Sequence, residues 1–129
     1  MKIGHVTIWA KDIDKVCEFY RKYFGGVAHP IYHNPTKQFT SRFVTFESGG
    51  RLEVRYRPDV CLTTGNANEE HLGFAHISFS VGSKEEVDRL TRQMSDDGIQ
   101  VVGEPRTTGN GYYESVVLDP EGNRVEITI

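Results

Sequence analysis

Histidine and glutamate recur at matching places in the two halves of this chain, and these four side chains have the chemistry to act on a small molecule. His5 heads the stretch GHVTIWAKDIDKV (residues 4–16) and His76 heads AHISFSVGSKEEV (75–87). Glu53 lies in GGRLEV (49–54) and Glu126 in GNRVEI (122–127). Aligned, His5 falls on His76, Val6 on Ile77, Thr7 on Ser78 and Ile8 on Phe79, while Gly49 falls on Gly122, Arg51 on Arg124 and Glu53 on Glu126. A lone histidine at a strand start is commonly structural, and a lone glutamate in a terminal strand commonly faces solvent. Duplication changes that reading. Two copies about a pseudo-twofold axis bring two imidazoles and two carboxylates toward that axis. Such a set holds a divalent cation and leaves positions open for water or substrate. Without the cation, two facing carboxylates repel and one pKa rises. Mixed nitrogen and oxygen ligation without a thiolate suits nickel, zinc, cobalt, manganese or iron(II) better than copper(I).

The elements that must position these donors follow from periodicity. Residues 3–9 and 74–81 alternate, as half-buried strands do. A helix follows each. In the first, Ile13, Val16, Phe19, Tyr20 and Tyr23 recur at helical spacing, with Asp12 as N-cap and Gly25-Gly26 as the stop. In the second, Ser83 and Glu86 fit a capping box, Val87, Leu90 and Met94 line one face, and Gly98 ends the helix. Further strands are expected at about 27–32, 38–47 and 51–57, and at about 99–103, 112–119 and 124–129. SGG (48–50) and DPEGN (119–123) are turn signals. The chain therefore reads as α+β, two βαβββ modules at about 1–57 and 73–129 within a single domain, 1–129, joined by a polar linker at 58–72.

Side chains two apart on a strand share a face. His5, Thr7 and Trp9 face one way, as do Arg51, Glu53, Arg55 and Arg57. In the second module His76, Ser78 and Ser80 share a face, as do Arg124, Glu126 and Thr128. Four strands with an apolar face and a polar face carrying ligand-type residues suggest a lined cavity. Trp9, Arg51, Arg55 and Arg124 are candidates to meet an anionic or planar substrate; for each arginine the alternative is a solvated edge or a carboxylate partner. The loop TTGNGYYES (107–115) reads as a lid or as a plain hairpin, which makes Tyr113 and Glu114 further candidates. His29, His33 and His71 have no repeat partner and are read as surface or loop residues.

The totals narrow the function class. The chain has 129 residues, 15 lysines and arginines against 18 aspartates and glutamates, and a net charge of −3. A mildly acidic chain without a long basic run is a poor nucleic-acid binder. No apolar run approaches the roughly 20 residues that span a membrane. MKIGHVTIW lacks the pattern of a secretory signal, and Cys17 and Cys61 lie in unlike contexts, so both are expected to be reduced thiols in a cytoplasmic protein.

GHVTIWAKDIDKVCEFYRKYFGG, RLEV, FAHISFSV and VVLDPEGNRVEI together resemble the vicinal oxygen chelate superfamily. That superfamily includes glyoxalase I, fosfomycin-resistance thiol transferases, bleomycin-resistance binding proteins, methylmalonyl-CoA epimerase and extradiol dioxygenases. The resemblance covers nearly the whole chain. It implies paired modules forming a cupped mixed sheet with helices on the outer face, one divalent metal ion, and a homodimer. It also implies His5, Glu53, His76 and Glu126 as the metal ligands, the set of glyoxalase I. Glu126 would then be the principal catalytic base, with Glu53 as its symmetric counterpart. The implied reaction is that of a lactoylglutathione lyase-like enzyme, moving a proton between adjacent carbons of a hemithioacetal, or a related vicinal-oxygen substrate, through a metal-stabilised enediolate. Two positions depart from bacterial glyoxalase I. Trp9 and Arg57 stand where an arginine and an asparagine are found, which points to an altered glutathione site and to a different thiol adduct or another small oxygenated substrate. The alternatives are another metalloenzyme of the superfamily (epimerase, thiol transferase or Fe(II) dioxygenase) and a non-catalytic drug-binding resistance protein.

Overall fold

A computed structural model describes residues 1–60, 73–109 and 111–129, and its chain divides into two compact units, Met1–Thr63 and Thr64–Ile129. From residue 61 onward the linker expected at 58–72 lies outside the described residues. The elements, in chain order, are β1 (Val6–Trp9), α1 (Ile13–Phe24), β2 (Val27–Ala28), β3 (Tyr32–Asn34), β4 (Phe39–Thr45), β5 (Arg51–Tyr56), β6 (Ile77–Ser80), α2 (Lys84–Asp96), β7 (Val101–Thr107), β8 (Tyr113–Leu118) and β9 (Arg124–Thr128). The fold is α+β, with one helix on one mixed sheet in each unit. Among the described residues no helix is long and apolar enough to cross a membrane.

In the first unit the sheet order is β1-β5-β4-β2, with β3 also paired to β4. β1 runs parallel to β5, placing Thr7 beside Glu53 and Trp9 beside Arg55. β4 runs antiparallel to β5, placing Phe43 opposite Glu53 and Ser41 opposite Arg55. In the second unit the order is β6-β9-β8-β7. There Ser78 lies beside Glu126, Val116 opposite Glu126 and Glu114 opposite Thr128. The two ladders thus repeat each other around the two glutamates.

The helices form where the spacing places them. Asp12 accepts a hydrogen bond from the Lys15 amide at 3.0 Å and caps α1. Gly25 takes φ 64°, a left-handed conformation that suits glycine, and its amide closes on Tyr20. Gly26 follows where a Cβ would stand 2.5 Å from Val44 Cγ1, so only a hydrogen fits. Ser83 accepts from the Glu86 amide at 3.2 Å. The Glu86 carboxylate pairs with Arg89 one turn on. The apolar stripes seal each core: Val16, Tyr20, Val44 and Val54 in the first unit, and Val87, Met94, Val117, Val125 and Ile127 in the second, all without solvent exposure.

Several expected boundaries are corrected. The strands expected from residues 3 and 74 begin at Val6 and Ile77, so both histidines sit just ahead of the ladder. The strand expected at 27–32 is broken into β2 and β3, because Pro30 has no amide to give to β4. The strand expected at 99–103 runs on to Thr107 as β7. It passes through Pro105 because it is an edge strand, with irregularities between Val101 and Gly103 and between Gly103 and Arg106.

Candidate metal centre

Each unit brings its histidine to its glutamate. His5 Nε2 lies 3.5 Å from Glu53 Oε2, and His76 Nε2 lies 3.5 Å from Glu126 Oε2. The imidazoles are 41% and 44% exposed, whereas the carboxylates are 5% and 15% exposed. A separation of 3.5 Å is long for a hydrogen bond. Two donors on one cation, each roughly 2.0–2.2 Å from it, stand about 3.0–3.5 Å apart at octahedral or tetrahedral angles. The pairs therefore fit the bite of a shared ion, with the same atoms in both units. Among the described residues, no group of three or more His, Cys, Asp or Glu is gathered as a metal-binding cluster.

The surroundings of the two carboxylates differ. Glu53 Oε2 accepts from Thr7 Oγ1 at 3.2 Å and pairs with Arg55 Nη2 at 2.8 Å, while also facing His5. Burial pushes the Glu53 carboxyl up. Hydrogen bonds from Arg55, Ser41 and Thr7, with the Arg55 charge, outweigh burial and hold it below the ordinary carboxylate value. In the second unit the Ser78 hydroxyl donates to Glu126 Oε1 at 2.7 Å, and the other oxygen, Oε2, faces His76. The register explains the contrast. Where the first unit has Ser41 opposite Arg55, the second has Glu114 opposite Thr128. Thr128 turns its hydroxyl to the Tyr113 carbonyl, and Glu114 pairs with Arg106 at 3.5 Å.

The turn that precedes β9 is built by its own side chain. Asp119, 4% exposed, accepts from the amides of Glu121 and Asn123 through Oδ1, each at 2.9 Å, and from Asn123 Nδ2 through Oδ2 at 2.9 Å. Gly122 closes back on the Asp119 carbonyl. The D-P-x-G stretch is thus a device that sets the β8–β9 register and, with it, the place of Glu126.

The remaining candidates are distributed as follows. Trp9 is partly exposed and lies under the Arg57 guanidinium, 5.4 Å from it. Arg51 stacks over Phe43 at 4.5 Å and Arg55 over Phe39 at 4.6 Å. His5 meets the Phe43 ring edge-on. Arg124 opens β9 opposite Leu118. Tyr113 faces the helix: its hydroxyl donates to Asp88 of α2 at 2.7 Å, and Lys84 lies over its ring. Asn110 lies outside the described residues, and the described flanks of the 107–115 loop close as a tight turn, Thr108 bonding to Tyr112 and Gly111 to Thr108. Cys17 is a free buried thiol, pushed up to about 11 by burial, with Arg42 opposing and Asp14 adding; Cys61 and His71 lie outside the described residues. His29 and His33 bond to Thr45 and Thr40 respectively. Sequence reasoning missed Ser41 as a partner of Glu53. Its counterpart in the second unit is Glu114, so the repeat conceals it, and only its register opposite Arg55 would have marked it.

The sequence profile described as the Glyoxalase/Bleomycin resistance protein/Dioxygenase superfamily matches residues 2–127. The chain is 29% identical over 111 residues to the fosfomycin resistance protein FosX of Listeria monocytogenes, spanning 84% of this chain and 75% of that protein. Its structure is similar to that of a glyoxalase family protein from Enterococcus faecalis, with a TM-score of 0.78, 24% identity, and coverage of 99% of this chain and 97% of the other. It is also similar to the trypanothione-dependent glyoxalase I of Leishmania major, with a TM-score of 0.76, 21% identity, and coverage of 99% and 86%. At these identities the two structures speak for a common fold.

Proposed function

Because the chain belongs to the Glyoxalase/Bleomycin resistance protein/Dioxygenase superfamily, we propose that it is a metal-dependent lyase or isomerase of the glyoxalase I type. Its substrate would be a hemithioacetal or a related small molecule with two adjacent oxygens. The observation that carries this reading is the doubled pair, His5 with Glu53 and His76 with Glu126, the same atoms 3.5 Å apart in each unit. The ligands of one divalent ion (nickel, zinc, cobalt, manganese or iron) would be these four side chains, contributed by one chain or by two copies in a homodimer. When bound, the cation would polarise the two vicinal oxygens and take up negative charge that develops on them.

The protein's own part is proton movement. The proton must leave one carbon and return to its neighbour, which calls for a carboxylate that can accept it and give it back. Glu126 suits that task better than Glu53. Its Oε1 is fixed by Ser78, which orients the group and leaves Oε2 facing His76. Glu53 is kept below the ordinary carboxylate value by a set of donors that includes Arg55 and is a weak proton acceptor. Glu126 is therefore the catalytic base of the proposal, and Glu53 a ligand. Arg51 and Trp9, on the same face as Glu53, would meet the substrate's anionic or planar part.

Metal analysis of the purified protein, with H5A and H76A beside it, tests the centre: both variants should lose the same single ion. Turnover of methylglyoxal with glutathione and other low-molecular-weight thiols tests the reaction. A second reading is favoured by the Arg55–Glu53 pair: with Glu53 engaged, three donors remain, and the superfamily that the sequence resembles includes fosfomycin-resistance thiol transferases. Consumption of fosfomycin that requires both metal and an added low-molecular-weight thiol, with no turnover of any thiol adduct of methylglyoxal, would establish that reading instead. Absence of bound metal in wild type would end both and leave a non-catalytic binder.

A further inference from the structure

We propose that Arg55 is a positioning residue that withholds one oxygen of Glu53 from the bound cation, so that the first unit's half of the centre is held more weakly than the second's. The inference rests on the metal reading above and deepens it. In the first unit the oxygen that faces the imidazole is also the oxygen taken by Arg55, at 2.8 Å, and by Thr7. In the second unit these duties are separated: Ser78 holds Oε1, and Oε2 faces His76. Arg55 is itself fixed in place. Its guanidinium lies over Phe39 at 4.6 Å, and its Nε is buried without a hydrogen-bond partner, so the group is seated by packing and by Glu53. The duplicated position in β9 is Thr128, whose hydroxyl turns away to a carbonyl. The device is thus peculiar to one half of the repeat. A cation drawn to Glu53 Oε2 must displace a charge-assisted hydrogen bond of the stronger kind and must also lie close to a positive guanidinium.

The test is a double-mutant cycle read by Zn2+ affinity, in competition with a chromophoric chelator, on the full chain. The proteins are wild type, R55T, E53Q and E53Q/R55T, with H76A as the check on the centre itself. R55T should bind Zn2+ at least tenfold more tightly than wild type, and R55T in the E53Q background should change affinity less than threefold. R55K, which keeps the charge and the fold but loses the planar fork, should fall between wild type and R55T, and it carries the test if R55T does not fold. Equal affinity of wild type, R55K and R55T, with H76A still impaired, overturns the inference and leaves the metal centre standing. An equal gain from R55T with and without Glu53 overturns it too, because the effect would then be plain charge repulsion. If wild type binds no Zn2+, or H76A binds as well as wild type, the metal reading itself fails and the inference falls with it.

Discussion

Asp119→Ala should destabilise the protein by about 2 kcal/mol while touching none of the four donors. Hydrogen bonds to a charged acceptor are each worth about 1.5–3 kcal/mol when lost from a buried site. Asp119 accepts two from backbone amides, Glu121 and Asn123, and further ones from the Asn123 side chain. The carboxylate is buried, but Pro120 and Asn123 are exposed, so water can reach the freed donors and the full sum is not lost. The result is near the upper end of what a helix N-cap contributes, about 2 kcal/mol. For a chain of this size that corresponds to a fall in melting temperature of roughly 5–10 °C. Urea denaturation near neutral pH measures it, with N123A as the comparison. N123A removes only the side-chain donor and should cost about a third as much. Because the turn fixes the β8–β9 register, D119A should also weaken metal binding through Glu126, whereas N123A should not. A loss below about 0.5 kcal/mol, the size of an ordinary surface substitution, would refute the view that this turn is held by the Asp119 carboxylate.

E126Q should lower kcat by roughly a hundredfold or more, the usual worth of a positioned general base, while E53Q acts mainly on metal affinity; steady-state rates at saturating metal separate the two. The stability difference between wild type and E53Q should depend on pH. The folded-state pKa of Glu53 is below the ordinary value of 4.5, so its contribution is complete above that value and is lost as pH falls through the folded pKa. Denaturation at a series of pH values should therefore show a constant gap above about pH 6 that closes in acid, and a gap that widens in acid would contradict the assigned pairing. In a C61S background, Cys17, with a pKa of about 11, should be about one part in a thousand thiolate near pH 8 and react with a disulfide reagent far more slowly in the folded than in the unfolded protein; rapid labelling of folded protein would refute its burial. G26A should cost about 1–3 kcal/mol, because the added methyl would stand 2.5 Å from Val44 Cγ1; denaturation that leaves its midpoint unchanged would show that Val44 yields freely.

What is legible in the sequence is what repeats. Residue type and strand parity are preserved between His5 and His76 and between Glu53 and Glu126, so the pairing in each unit follows from the residues alone. Local signals are legible too: Asp12, Ser83 and Gly25 act through bonds to residues three to five positions away. Features that depend on partners across the sheet are not. Pro30 breaks a ladder only because β4 lies beside it, and Pro105 is tolerated because β7 stands at the end of the strand order of its sheet among the described residues. Tyr113 and Glu114 are neighbours in sequence, yet their directions depend on the register of β8 against β9, which turns Tyr113 to Asp88 and α2 and sets Glu114 opposite Thr128. The reach of Arg55 to one particular oxygen of Glu53 depends on Phe39 and Ser41, which a spacing of two residues does not reveal.

The two units hold the same histidine–glutamate pair in unequal surroundings. At the two glutamates the backbone ladder is the same, so differences in their chemistry must come from the side chains in register with them. Those differ at Thr7 against Ser78 and Phe43 against Val116, and, one pair along the ladder, at Arg55 against Thr128 and Ser41 against Glu114, and the last two alter charge as well as hydrogen bonding. Both changes act in one direction. They put Arg55 and Ser41 around Glu53, which favours its charged form, where the second unit has Thr128 and Glu114. In the proposed reaction the carboxylate that moves the proton must change its charge, whereas the one that only holds the cation need not. Exchanging the two environments is then the sharpest experiment the repeat allows. A chain carrying R55T with T128R should shift the proton-accepting role toward Glu53, so that E53Q becomes the more damaging of the two glutamine substitutions in the rate assay; if E126Q remains the more damaging by the same factor, the register neighbours do not decide which carboxylate is the base.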